Sequence, residues 1–227
     1  MGGARLRQSS VGFSRPLRIS KEISAIDGCV QMGYMISNLA DKPTAFLYAC
    51  HPLLAVDQGD IVLLPDEVAS VSLNYSSGEQ VGRPGDWVPW PQVEMHDRDL
   101  RVVLPYTANT AEMLYSRRLT NGWAAVYRTS IRQGIVVRFR TEALPYLGVW
   151  LCYGGWPEGA GEPRQYAIAL EPTTAPYGTL SEAAKRGTAI ELAPQGEFRF
   201  EIAFCVSHRD LSRESFRKFC EGNDNAC

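Results

Sequence analysis

The sequence predicts an all-β protein built as a large antiparallel sandwich. Three observations point there. Short runs in which apolar and polar residues alternate recur along the chain. Turn pairs such as Asp27-Gly28, Asn121-Gly122 and Gln133-Gly134 separate them. Only two short stretches have helical character. No repeat of fixed period and no low-complexity tract breaks this pattern.

In chain order, residues 1–15 are polar, basic and rich in Gly and Ser, and are expected to be a flexible N-terminus. Residues 16–207 carry the strand pattern, and 208–227 form a C-terminal tail. A first strand is expected over Leu17 to Ile26. After Asp27-Gly28, Val30, Met32, Tyr34 and Ile36 alternate with polar or small residues, completing a hairpin. Thr44 to Cys50 reads as a strand ending at His51-Pro52. Asp60 to Leu64 and Val68 to Leu73 are short apolar runs. Residues 74–98 are polar and rich in Gly and Pro, the pattern of a functional loop or mobile insertion. Leu100 to Leu104, Met113 to Leu119, Trp123 to Arg128, Ile135 to Arg140, Tyr146 to Tyr153 and Gln165 to Glu171 follow as strands. Thr179 to Arg186 reads as a helix, with Thr179 or Ser181 as cap and Gly187 as stop. Phe198, Phe200, Ile202, Phe204 and Val206 give the cleanest alternation, and 209–220 a weak last helix.

With 227 residues the chain has room for one large β domain or two small ones. A net charge of −2 argues against nucleic acid as the main partner. No stretch has the length and apolarity of a membrane span, and residues 1–20 lack the apolar core of a signal peptide. The six cysteines, Cys29, Cys50, Cys152, Cys205, Cys220 and Cys227, include no C-x-x-C pair. The expectation is a cytoplasmic protein with free, mostly buried thiols and no metal site.

Chemistry is expected at two strand ends. In Gln165 to Pro172, strand alternation puts Tyr166, Ile168 and Leu170 on one face and Ala167, Ala169 and Glu171 on the other. Pro172 is expected to turn the chain out of the sheet, leaving Glu171 at its mouth as a candidate general base. The plain alternative is a solvated glutamate. His51 also ends a strand before a proline, and a His–Glu pair can run acid–base chemistry near neutral pH; the alternative is a histidine bonding to backbone. Spacing does not show that the two meet. The loop Tyr153-Gly154-Gly155-Trp156-Pro157-Glu158-Gly159 offers an aromatic that either stacks on a sugar or closes one end of the core. Arg117, Arg118 and Arg164 are candidate phosphate ligands or solvated charges. His96 and His208 read as surface residues.

Several of these segments resemble one family. Tyr48-Ala49-Cys50-His51-Pro52-Leu53-Leu54 looks like the His-Pro motif of the aldose 1-epimerase (galactose mutarotase-like) superfamily. Leu147-Gly148-Val149-Trp150, then Tyr153-Gly154-Gly155-Trp156-Pro157, is similar to the strand and loop before that family's catalytic glutamate. Ala169-Leu170-Glu171-Pro172 resembles the glutamate motif itself. The resemblance covers roughly residues 15 to 206. It implies a sandwich of the mutarotase type, with His51 as general acid on the ring oxygen and Glu171 as general base on the anomeric hydroxyl. Trp156, Tyr153, Trp150 and, more loosely, Glu112 become candidate substrate-binding residues. A small-molecule sugar becomes the expected partner, and no cofactor is required, since both steps are proton transfers. Family members carry a further N-terminal portion, so the chain is expected to be an N-terminally shortened relative. Its sheet edges and the apolar face of Phe198 to Val206 are then expected to need cover, through a homo-oligomer for instance. Two other readings stand beside this isomerase: a carbohydrate-binding protein without catalysis, and a glycoside hydrolase pairing Glu171 with Glu112, Glu158 or Glu162.

Overall fold

The computed structural model describes residues 5–94, 97–159, 161, 163–207 and 209–222. His96, Glu162, His208 and Cys227 lie outside the described residues.

In chain order the strands are β1 (Arg5–Val11), β2 (Leu17–Ile26), β3 (Cys29–Asn38), β4 (Thr44–Phe46), β5 (Leu53–Leu54), β6 (Ile61–Leu63), β7 (Ser70–Ser76), β8 (Trp87–Pro89) and β9 (Gln92–Val93). They continue with β10 (Arg98–Asp99), β11 (Thr110–Ser116), β12 (Trp123–Arg128), β13 (Gln133–Phe139), β14 (Tyr146–Tyr153), β15 (Tyr166–Thr173), β16 (Ile190–Leu192) and β17 (Glu197–Val206). Two sheets dominate. One has the order β1-β2-β3-β17-β13-β12-β6, the other β5-β15-β14-β11-β7-β8, and β9–β10 and β4–β16 form short ladders. The chain is an antiparallel β-sandwich, as its alternation and turn pairs predict.

The core lies between the two large sheets. Tyr34, Ile36, Val126, Val137, Phe200 and Ile202 come from the seven-stranded sheet; Leu73, Leu114, Leu147, Val149, Leu151, Ile168 and Leu170 come from the other. Each such side chain contributes about 1.5–3 kcal/mol when fully buried. The apolar face of β17, expected to lack a covering layer, is thus covered: Phe200 and Ile202 are buried, while Phe198 and Phe204 pack at the margin and Val206 is exposed. On the outer face of the seven-stranded sheet, α2 (Arg213–Cys220) seats Phe216 and Phe219 against Trp123 and Tyr127. The Ser212 hydroxyl caps this helix by accepting from Ser215 N. The other helix, α1 (Leu180–Lys185), is capped by Thr179 and followed by Gly187 at φ +69°.

Several expectations need correction. The N-terminus is not loose at 5–11, where β1 pairs with β2 along its whole length, from Arg5↔Ser24 to Val11↔Arg18. Residues 74–98 are partly laddered, with β8 on β7 and β9 on β10. Leu100 to Leu104 forms no ladder beyond an isolated bridge, Val102 to Ile61. Cys29 and Cys205 are not free thiols: β3 and β17 bring them directly opposite each other and they form a disulfide, while Cys50, Cys152 and Cys220 are free. A separation of 176 residues hides this pair from the sequence. No helix among the described residues is long and apolar enough to cross a membrane.

Candidate active site

Strand parity builds the site. Tyr166, Ile168 and Leu170 of β15 enter the core, so Ala167, Ala169 and Glu171 face the other way. β15 does not stop at Pro172. It runs to Thr173, with Pro172 opposite Leu147. Proline lacks only the donor, and its carbonyl accepts from Cys50 N at 3.0 Å.

That hydrogen bond belongs to a second chain lying along the free edge of β15. Leu54 pairs with Ile168 and Leu53 with Ala169; four residues earlier Ala49 bridges Thr173. Tyr48 N donates to Thr174 Oγ1 and Thr174 N to Tyr48 O. The same register sets His51 opposite Glu171, and His51 Nδ1 lies 2.5 Å from Glu171 Oε1. The Glu171 side chain is 7% exposed and that of His51 56%, so the acid is sunk and the imidazole stands in the open. Burial pushes the Glu171 carboxyl above its usual range, the His51 contact pulling the other way. Glu171 is therefore not a solvated strand-end carboxylate.

The face around them is laid out in cross-strand rows. One runs Glu171, Gly148, Tyr115, Ser72 across β15, β14, β11 and β7, with His51 at its outer end. The next runs Leu53, Ala169, Trp150, Met113, Tyr75. The exposed Trp156 closes on this second row, its ring centroid 5.6 Å from Tyr75 and 6.1 Å from Trp150. Trp150 Nε1 donates to Gln165 Oε1 at 2.6 Å, and the Tyr75 hydroxyl donates to Glu158, so both ends of the Trp156 loop are tied to this face. Two glycines let the loop lie down. Gly154 has φ +81°, and a Cβ at Gly155 would fall 2.3 Å from the Thr110 carbonyl carbon. The result is an open shelf with a buried acid and an exposed imidazole beside an aromatic wall. Between Leu53 and Trp150, Ala169 keeps the floor low. Such a shelf suits a flat polyol ring.

Structural comparison places the fold. The chain superposes on a candidate aldose 1-epimerase from Klebsiella pneumoniae with a TM-score of 0.70 at 16% identity, over 98% of this chain and 56% of that one. A galactose mutarotase-like protein from Lactobacillus casei gives 0.61 at 16% identity, over 89% and 69%. The chain has the galactose mutarotase-like fold. A candidate aldose 1-epimerase from Escherichia coli gives 0.59 at 15% identity, over 89% and 64%, so the chain spans less than two thirds of the Klebsiella and Escherichia proteins. No family model matches the sequence, and no curated protein does either.

Within this galactose mutarotase-like fold, four of the six expected residues gather on one face: His51, Glu171, Trp150 and Trp156. Glu112 and Tyr153 do not. Glu112 pairs with Leu151, and Tyr153 sits on the Leu151 side of β14, so both point into the sandwich and are wholly buried. Parity carries the reason: Trp150 and Tyr153 are an odd number of residues apart on one strand and take opposite faces. Glu112 is thereby removed as a partner carboxylate for Glu171 in glycoside hydrolysis. Arg117 stacks over Trp87 at 4.0 Å, on the far strand β8. The sequence reading missed Tyr75, Met113 and Tyr115. Sequence spacing holds no signal for them, because their place beside Trp150 and Gly148 depends on cross-strand register.

Proposed function

We propose that this chain is an aldose 1-epimerase-like isomerase, interconverting the α and β anomers of a hexose or sugar phosphate. The observation that carries the reading is the 2.5 Å contact between His51 Nδ1 and Glu171 Oε1 on an open, aromatic-walled face. With Glu171 ionised and His51 protonated, Nδ1–H donates to Oε1. That leaves Glu171 Oε2 to accept a proton and His51 Nε2–H to give one. Oε2 takes the proton of the C1 hydroxyl. The C1–O bond of the ring breaks as the C1 carbonyl forms, and Nε2 delivers its proton to the departing ring oxygen. After rotation about C1–C2 the aldehyde closes on its other face, and both protons return. Charge is balanced throughout by proton transfer within one pair. Each such group contributes about 10²–10⁴-fold in rate. Polarimetry on freshly dissolved α-glucose and α-galactose tests the reading. The expected result is accelerated equilibration by the wild type and none above background by Glu171→Gln; equal rates for the two proteins overturn it.

A second reading, sugar binding without turnover, is favoured by the exposed Trp156 wall. Calorimetric binding of a sugar, lost in Trp156→Ala and accompanied by no anomerisation, selects it.

A further inference from the structure

Glu171 is nearly sealed although it stands on an open face. Across the row, Gly148 separates Glu171 on β15 from Tyr115 on β11. A Cβ placed on Gly148 would meet Met113 Cε at 2.7 Å, Tyr115 Cε1 at 3.1 Å and the Glu171 Cβ at 3.2 Å. The missing side chain of Gly148 therefore leaves a space that Met113 Cε, Tyr115 Cε1 and the Glu171 Cβ all border. Tyr115 is itself 5% exposed.

We propose that Tyr115 is a positioning residue for Glu171: its ring, leaning across Gly148, walls the inner side of the carboxylate from water, so that only the side facing His51 and the shelf remains usable. The inference rests on Glu171 being the site's acid–base group. The groups facing that carboxylate are His51 and Cys50 from the edge chain and Tyr115 from β11, with uncharged Met113 and Gly148 beneath. Burial, with the Glu171 charge adding to it, pushes the Tyr115 phenol up to about 12, so the ring meets the acid as a neutral group through the working pH range. A water-excluding wall disfavours the ionised carboxylate and holds its titration at higher pH.

The experiment is a carbon-13 NMR titration of protein labelled at glutamate side-chain carboxyls, with the Glu171 signal assigned by its loss in Glu171→Gln. Tyr115→Phe keeps the wall and should leave the Glu171 midpoint in place. Tyr115→Ala opens it and should lower the midpoint by about one pH unit. Gly148→Ala should do the same with Tyr115 intact, because the added methyl pushes the ring and Met113 away; this variant carries the test if Tyr115→Ala does not fold. A midpoint in folded Tyr115→Ala and Gly148→Ala equal to that of the wild type overturns the proposal, as does an equal fall in Tyr115→Phe. The titration needs no turnover, so a protein without anomerase activity would sink the isomerase reading and leave this result standing. Where activity is present, the acid limb of its pH profile should move down with the midpoint.

Discussion

Two glutamates in this molecule are buried in the same six-stranded sheet and differ in nearly everything else. Glu171 on β15 faces outward and has His51 at 2.5 Å. Glu112 on β11, separated from β15 by β14 alone, faces inward; neither of its oxygens has a hydrogen-bond partner among the described residues. Burial raises the proton affinity of both, and brings the Glu112 carboxyl to about 7, with the charge of Arg98 acting against it. By perturbation alone Glu112 would rank as a functional acid. Geometry reverses the ranking. A proton-transfer group needs a lone pair that a substrate can reach, a partner that carries the counter-proton and a surface that seats the substrate. In the proposed reading Glu171 meets all three, whereas Glu112 sits among core side chains with Arg98, Thr110, Ser76 and Tyr153, whose buried polar atoms are likewise unpartnered among the described residues.

The largest effect that separates the two is on turnover. Glu171→Gln should cost about 10²–10⁴-fold in anomerisation rate, whereas Glu112→Gln should leave the rate within a few-fold of wild type. A large loss in Glu112→Gln with the fold intact would break the comparison and return Glu112 to the site. His51→Asn belongs with Glu171→Gln, because the imidazole supplies the other proton, and the double variant should lose little beyond either single one.

Next in size is a stability effect that belongs mainly to Glu112. Its carboxyl titrates near 4.5 when unfolded and at about 7 in the fold. The folded state thus binds the proton more tightly. The stability this contributes is fully present below about pH 4.5 and is lost as pH rises from there to about 7. A displacement of that size corresponds to about 3 kcal/mol. Urea unfolding at pH 4.5 and pH 8 checks it. The wild type should lose stability over this window, and Glu112→Gln, which carries no charge at either pH, should lose much less. An unchanged slope in the variant would place the pH dependence elsewhere. Glu171 contributes in the same direction and by less, because His51 offsets its burial.

How much of this was legible follows from what each feature depends on. Alternation in β15 and β17 is local, so their faces could be read from consecutive residues, as could the cap at Thr179. The fold class followed from summing such local signals. β1 gave no signal because all seven of its residues are exposed, and a strand with neither face buried has no apolar period to display. The His51–Glu171 contact spans 120 residues and depends on register, which no spacing encodes; the like strand-end settings of the two residues and the family resemblance point to the pair but not to its contact. Parity within β14 separates Tyr153 from Trp150 in the sequence itself, whereas the inward facing of Glu112 depends on the register of β11 against β14.

The smallest effect concerns Arg98, the charge that acts on Glu112 among the described residues. Arg98 stands on the β9–β10 ladder, its guanidinium 5.7 Å from the Tyr153 ring centroid, and both terminal nitrogens are buried without a partner among the described residues. Its charge lowers the proton affinity that burial alone would give Glu112. Arg98→Met should therefore carry the pH window of stability loss upward, by about half a unit, since the charge acts without a direct ion pair. The same change removes two buried guanidinium nitrogens that have no hydrogen-bond partner among the described residues, so overall stability should rise slightly at low pH, where Glu112 is neutral and offers that cation nothing. Two opposed tendencies make the variant diagnostic. If Arg98 acts through Glu112, the shift of the window vanishes in the Glu112→Gln background while the low-pH gain persists. If the shift survives there, Arg98 is coupled to another titrating group and the inner glutamate is more isolated than its position beside Arg98 implies.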